Sequence, residues 1–135
     1  MKLFLNANVL FSASNVHSNF FAFLAYLSQK RITLVSSSYA IAEAQRNLER
    51  KKPEWLGGFA RVQKMIVIVP ESRLSLPTDL AANNQPILAA AIYAKCGYLL
   101  TGDKRGFGHL YGKMVGSVKI VSYKMLLTEL DKKKL

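Results

Sequence analysis

Apolar residues in this chain come in short runs, each cut off by a polar side chain, and the runs alternate between strand length and helical period. Leu3-Phe4-Leu5 stops on Asn6, which predicts a first strand over residues 2–6 that delivers a polar side chain to a sheet edge. Ser14 offers an N-cap to a helix over about 15–29, where Phe20, Phe21, Leu24 and Leu27 fall at helical spacing and read as core. Residues 32–35 form a second strand. Ser36-Ser37-Ser38 ends it and caps a helix over about 39–51 whose buried face is Ile41, Ala44 and Leu48. Pro53 suits the first turn of a further helix to about residue 64, weakened by Gly57-Gly58. The unbroken run at 65–69, MIVIV, predicts a buried parallel strand. Residues 70–83 read as loop. Asn84 stands as N-cap before a helix over about 85–95 with Pro86 in its first turn. A strand at 98–100, a Gly-rich turn at 101–112, a strand at 118–121 and a helix over about 123–132 complete the pattern. Strands alternating with helices predict an α/β fold: a three-layer α/β/α arrangement around a mainly parallel sheet of about five strands. No repeat, linker or low-complexity tract interrupts it, so residues 1–135 read as one domain.

Composition narrows the class. Half of the 135 residues are apolar, enough for a substantial interior. No apolar run reaches the ~18 residues of a membrane-spanning helix. Lys2 before an apolar stretch imitates a signal peptide, but Asn6 and Asn8 interrupt it, and the stretch reads as a strand. The lone Cys96 excludes an internal disulfide and suits a reducing, cytoplasmic setting. His17 and His109 lie far apart in sequence, so no zinc pattern is present. Nineteen Lys and Arg against eight Asp and Glu give a formal charge of +11, which suits a polyanion partner such as nucleic acid or an acidic protein segment. Part of that charge clusters at Arg46, Arg50, Lys51 and Lys52, and Lys104 and Arg105 follow Asp103 directly.

The few carboxylates can be sorted by position. Glu49, Glu54, Glu129 and Asp131 have charged neighbours and read as surface; Glu71 and Asp79 fall in the loop. Glu43 stands early in its helix among small residues, and Asp103 ends the strand at 98–100. Asn6 ends the first strand and Asn84 opens a helix. In an open parallel sheet, ligands sit at the carboxyl edge, where strand ends and helix starts converge. Asn6, Glu43, Asn84 and Asp103 are therefore expected to share one crevice. Thr101 is placed to orient Asp103, and no base stands ready to make it a nucleophile. Asn47, one turn after Glu43, either bonds that carboxylate or faces solvent. As plain structure, Asn6 would be a strand terminator, Asn84 an N-cap and Glu43 a partly buried polar group.

The segments KLFLNANVLFSA, SYAIAEAQRNL, NQPILAAAIYAKCGYLLTGDKRGFG and GSVKIVSYKMLL, in that order and spacing, resemble the PIN domain, a family of small metal-dependent nucleases that includes toxin–antitoxin ribonucleases. The resemblance spans nearly the whole chain. It implies a metal-dependent ribonuclease whose acidic positions are matched by Asn6, Glu43, Asn84 and Asp103, with asparagine at two of the four. A further acid or histidine expected near Gly106 has no counterpart. The family's chemistry needs carboxylates because Mg²⁺ and Mn²⁺ are hard cations held near a phosphate by negative charge. Glu43 and Asp103 would be the charged metal ligands, with Asn6 and Asn84 as weak neutral ones. Arg46, Lys104 and Arg105 would bind nucleic acid. Three functions follow: a weakened or inactive Mg²⁺- or Mn²⁺-dependent nuclease acting on RNA, a non-catalytic module binding RNA or an antitoxin-like partner, and a structural or oligomerisation role, for which the aromatic helix at 15–29 either supplies a homodimer interface or, equally well, is buried within one subunit.

Overall fold

The computed structural model describes residues 1–72, 76 and 79–133. Six strands, β1 (Lys2–Leu5), β2 (Thr33–Ser37), β3 (Ile66–Val69), β4 (Tyr98–Leu100), β5 (Met114–Val115) and β6 (Val118–Val121), form one sheet in the order β3-β2-β1-β4-β6-β5. All neighbours run parallel except the β5–β6 hairpin. Seven α-helices are described: α1 (Ala7–Ala13), α2 (Asn19–Ser28), α3 (Ser38–Lys51), α4 (Leu56–Gln63), α5 (Gln85–Tyr93), α6 (Lys104–Phe107) and α7 (Tyr123–Lys132). Successive strand residues point to opposite faces, yet Leu3, Phe4, Leu5, Leu99 and Leu100 are all buried. Burial on both faces requires helical layers on each side, the arrangement of a parallel α/β sheet. Among the described residues no helix is long and apolar enough to cross a membrane.

From β1 the chain winds outward through β2 to β3, then returns to lay β4 on the other side of β1. The gap between the carboxyl ends of β1 and β4 is therefore the switch point of the sheet, where such folds open a crevice. Register fixes what stands there. Leu5 pairs with Leu100, so Asn6 and Thr101 come next on adjacent strands, and the Asn6 amide N–H donates to Leu100 O at 3.1 Å.

Several expected elements differ. The helix placed at 15–29 with a Ser14 cap is two helices. α1 starts directly after β1 with Asn6 as its N-cap, and α2 starts at Asn19 with Ser18 as its cap. Ser14 ends α1 instead, donating its hydroxyl back to Leu10 O at 2.7 Å. The apolar strand at 65–69 lies at the sheet edge, with Val67 54% and Ile68 46% exposed, because among the described residues no strand pairs beyond it. The second strand runs to Ser37, whose side chain caps α3 by accepting from Ala40 N at 3.1 Å. The helix opened by Pro53 begins as a 3-10 turn over Pro53–Trp55 before α4. The turn at 101–112 holds α6 and a second 3-10 turn, Gly108–Leu110, and leads into β5, a sixth strand that the apolar pattern was too short to announce. The loop at 70–83 lies partly outside the described residues. Its Asp79 meets His109 at 2.7 Å.

Gly58 is a packing residue. A Cβ there would collide with the Ser14 carbonyl, so its absence lets α4 lie against the end of α1. Within the chain, Phe20 and Phe23 of α2 make edge contacts with Tyr123 of α7 at 5.0 and 4.9 Å, which accounts for much of the aromatic stripe as core.

Candidate active site

Asn6, Glu43, Asn84 and Asp103 line one cavity at the switch point, together with Ala7, Asn8, Phe11, Ser12, Asn47 and Lys51. Each arrives by a different route. Asn6 is the hinge between β1 and α1 and is buried. Its Oδ1 accepts from Ala7 N at 2.7 Å, and its Nδ2 donates to Thr101 Oγ1 at 2.9 Å. The same hydroxyl accepts from Asp103 N at 3.1 Å, and the Thr101 carbonyl accepts from Tyr111 Oη at 2.8 Å. Thr101 thus links the β1 hinge to the backbone of Asp103.

Asp103 caps α6, with Oδ1 accepting from Gly106 N at 2.9 Å. Its Oδ2 and the Asn84 Nδ2 crowd the same point beside Gly106, and a Cβ on that residue would collide with both. Glycine here makes room for the pair. Asn84 occupies the N-cap position of α5, but its side chain makes no capping bond there and its backbone is helical. The capping expected from sequence is therefore absent, and the amide is left to face Asp103.

Glu43 sits half-buried on α3. Burial pushes its carboxyl above the ordinary carboxylate range; nearby Arg46 pulls it back, and Asp103 adds to the rise. The influence of Asp103 places both charges in one electrostatic environment. Burial also raises the Tyr111 phenol, with Asp103 again contributing. Asn47 lines the cavity, but among the described residues its hydrogen bond runs from Arg50, whose Nη2 donates to Oδ1 at 3.0 Å, and not to Glu43. Arg46, Lys104 and Arg105 are exposed on the helices that carry or follow Glu43 and Asp103, and they do not line the cavity.

The donor chemistry does not fit a pair of tightly held hard cations. Two of the four positions are carboxylates, and among the described residues no three His, Cys, Asp or Glu side chains group as a metal site. The amide NH₂ groups also stand next to neighbouring acceptors. Asn6 gives its NH₂ to Thr101, and Asn84 sets its NH₂ near Asp103 Oδ2 beside Gly106.

Five lining residues, Ala7, Asn8, Phe11, Ser12 and Lys51, were not singled out as site residues from sequence. A signal for them existed. Positions 7, 8, 11 and 12 share one face of a helix capped by Asn6, and Lys51 follows Glu43 and Asn47 at four-residue steps. Asn8 also accepts from Gly102 N at 3.4 Å, tying α1 to the loop that carries Asp103.

No family model matches the sequence, and no curated protein matches it. Solved structures do. VapBC2 from Rickettsia felis, determined bound to a DNA fragment from its promoter, matches with a TM-score of 0.67 at 19% identity, covering 91% of this chain and 99% of that one. PAE2754 from Pyrobaculum aerophilum matches at 0.57 and 13% identity over 98% and 99%. VapC20 from Mycobacterium tuberculosis, a Sarcin-Ricin loop cleaving toxin, matches at 0.56 and 9% identity over 84% and 98%. At these identities the likeness speaks to architecture. The chain has the PIN-like α/β fold that its ordered segments led one to expect.

Proposed function

We propose that this chain is a PIN-type ribonuclease-like protein that takes RNA across the Asn6–Glu43–Asn84–Asp103 cavity, with phosphodiester hydrolysis reduced or lost. The observation that carries this reading is the meeting of four residues from distant parts of the sequence at the switch point of the sheet. Hydrolysis of this type draws on Mg²⁺ or Mn²⁺ held by clustered carboxylates. Asparagine at positions 6 and 84 keeps the shape and removes half of the charge that would hold such ions. In this reading Glu43 and Asp103 are the remaining charged ligands, Thr101 positions Asp103, and Arg46, Lys104 and Arg105 steer phosphate toward the cleft. The purified chain with Mn²⁺ should cut RNA slowly or not at all, and Asp103→Ala should abolish whatever cleavage is seen. Cleavage that survives Asp103→Ala would move the activity to another site and sink this assignment.

One observation favours a second reading, a non-catalytic module that binds RNA or an antitoxin-like protein. Both ends of the Asn6 amide are used in the hinge between β1 and α1, so this asparagine has its hydrogen bonds without a cation. The similarity in fold to VapBC2 makes an antitoxin-like partner and a homodimer reasonable companions of either reading. RNA binding without turnover, weakening steeply with salt, would select the module over the enzyme.

A further inference from the structure

Away from the acids, the cavity changes character. Lys51 lies two turns beyond Glu43 on α3, about 12 Å along the helix. It is exposed, and among the described residues it pairs with no carboxylate, whereas its neighbour Lys52 stands 3.9 Å from Glu54 and over the Trp55 ring at 5.1 Å. Opposite, α1 presents Phe11 and Ser12 to the cavity. The Phe11 ring is braced by Trp55 in an edge contact, with centroids 5.6 Å apart and planes at 63°. A ring of this kind is usually covered by core; here it forms part of an open wall, with the polar side chains of Asn8, Ser12 and Asn47 around it.

We propose that this end of the cavity is a subsite for one unpaired nucleotide of a single-stranded nucleic acid, its base against the Phe11 ring and its phosphate on Lys51. The inference rests on reading the cavity as an RNA-binding cleft and adds what that reading leaves open, a base-stacking position and its phosphate contact. A braced aromatic ring beside an unpaired ammonium is the pairing by which proteins hold single strands, because every base has a π-face and every linkage a charge. Amide and hydroxyl groups around the ring can meet base edges without selecting one base. The net charge of +11 draws such a strand in. An acidic peptide would engage Lys51 but has no flat face for the ring.

Trp55 is the sole tryptophan, so its fluorescence reports on the ring it braces. The full chain in EDTA would be titrated with oligouridylate, oligodeoxythymidylate, an RNA duplex and an oligoglutamate, following Trp55 emission and the anisotropy of labelled probes. Single strands should change Trp55 emission on binding, and the duplex and oligoglutamate should not; the two single-strand arms tell ribose from deoxyribose. Phe11→Leu, which keeps an apolar side chain of similar bulk, should weaken single-strand binding roughly ten-fold. Lys51→Ala, on the exposed face of α3, should lower the slope of log affinity against log salt by about 0.7, and Lys51→Arg should restore it. RNA binding that is unchanged in Phe11→Leu and Lys51→Ala would overturn the subsite while leaving the RNA reading in place. Equal effects from the duplex or oligoglutamate would overturn it in favour of a shape-reading or protein-binding cleft. Absence of RNA binding even at low salt would remove the RNA reading and the subsite together.

Discussion

Replacing Asn84 with aspartate tests the electrostatic account of the cavity directly. The Asn84 Nδ2 and the Asp103 Oδ2 crowd one point beside Gly106, so Asn84→Asp sets two carboxylates where an amide now faces a carboxylate. At ~5 Å and an effective dielectric of ~20, a like-charge pair costs ~3 kcal/mol. Both residues are half-buried, and solvent would bring the net cost to about 1–2 kcal/mol. For a chain of this size that corresponds to a fall in Tm of roughly 3–10 °C. Adding Asn6→Asp should cost little in hydrogen bonding. The Thr101 hydroxyl, which accepts from Asn6, can turn to donate to a carboxylate and still accept from Asp103 N. The doubly substituted chain would then hold four acids around the cavity. Thermal unfolding should show it destabilised in EDTA and raised by millimolar Mn²⁺, since a cation that binds only the folded state stabilises by mass action. The unsubstituted chain should shift little under the same titration. RNA cleavage assayed in parallel should appear or increase only with the metal. A double variant as stable as its parent in EDTA and indifferent to Mn²⁺ would show that the four side chains do not form one charge cluster, and the nuclease reading would fall with it.

Other expectations can be checked on the folded chain. Gly58→Ala should lose about 1–3 kcal/mol in urea unfolding through overlap with the Ser14 carbonyl, whereas Gly57→Ala, which meets nothing, should gain up to about 1 kcal/mol from helix propensity; a stabilised Gly58→Ala would contradict the close approach of α4 to α1. Glu43 has a folded-state carboxyl raised mainly by burial, so its charged form is disfavoured by folding, and its contribution is most favourable below 4.5 and is lost as pH rises through the folded value. Glu43→Gln should accordingly be more stable than the parent at neutral pH, with the difference closing as pH falls through and below 4.5; a constant difference in chemical unfolding across that range would refute the assigned burial penalty. Cys96 is fully buried and its thiol is pushed up to about 11, so it should resist iodoacetamide at pH 8 in the native chain and react once the chain is unfolded; rapid native labelling would contradict the packing between α5 and β4.

The alternation of apolar runs with helical stretches was enough to name the sheet, its mainly parallel sense and most of its elements, because burial on both faces leaves a continuous apolar signature in the central strands. The same signature misled at residues 65–69. An edge strand with Val67 and Ile68 exposed has the same composition as a central one, and position in the sheet depends on what pairs with it. Helix α1 was hidden for a different reason. Its cap is Asn6, which also terminates β1, and one residue serving two elements leaves no loop between them to mark the boundary.

The candidate site divides along the same line. That residues 6, 43, 84 and 103 belong to one edge follows from local rules, since each closes a strand or stands in the first turns of a helix, and an open parallel sheet gathers those places together. Which atoms face inward does not follow from any local rule. The Asn6 amide is oriented by the Ala7 N–H and the Thr101 hydroxyl, and Asn84 and Asp103, 19 residues apart in sequence, both crowd a point that Gly106 leaves open. Lys51 and Phe11 come to line one cavity through the packing of α1 on α3, a contact between helices whose sequences carry no record of each other. Periodicity is written along the chain because each element needs its own apolar face; the charge balance of a cavity is set by neighbours through space, and folding alone supplies those.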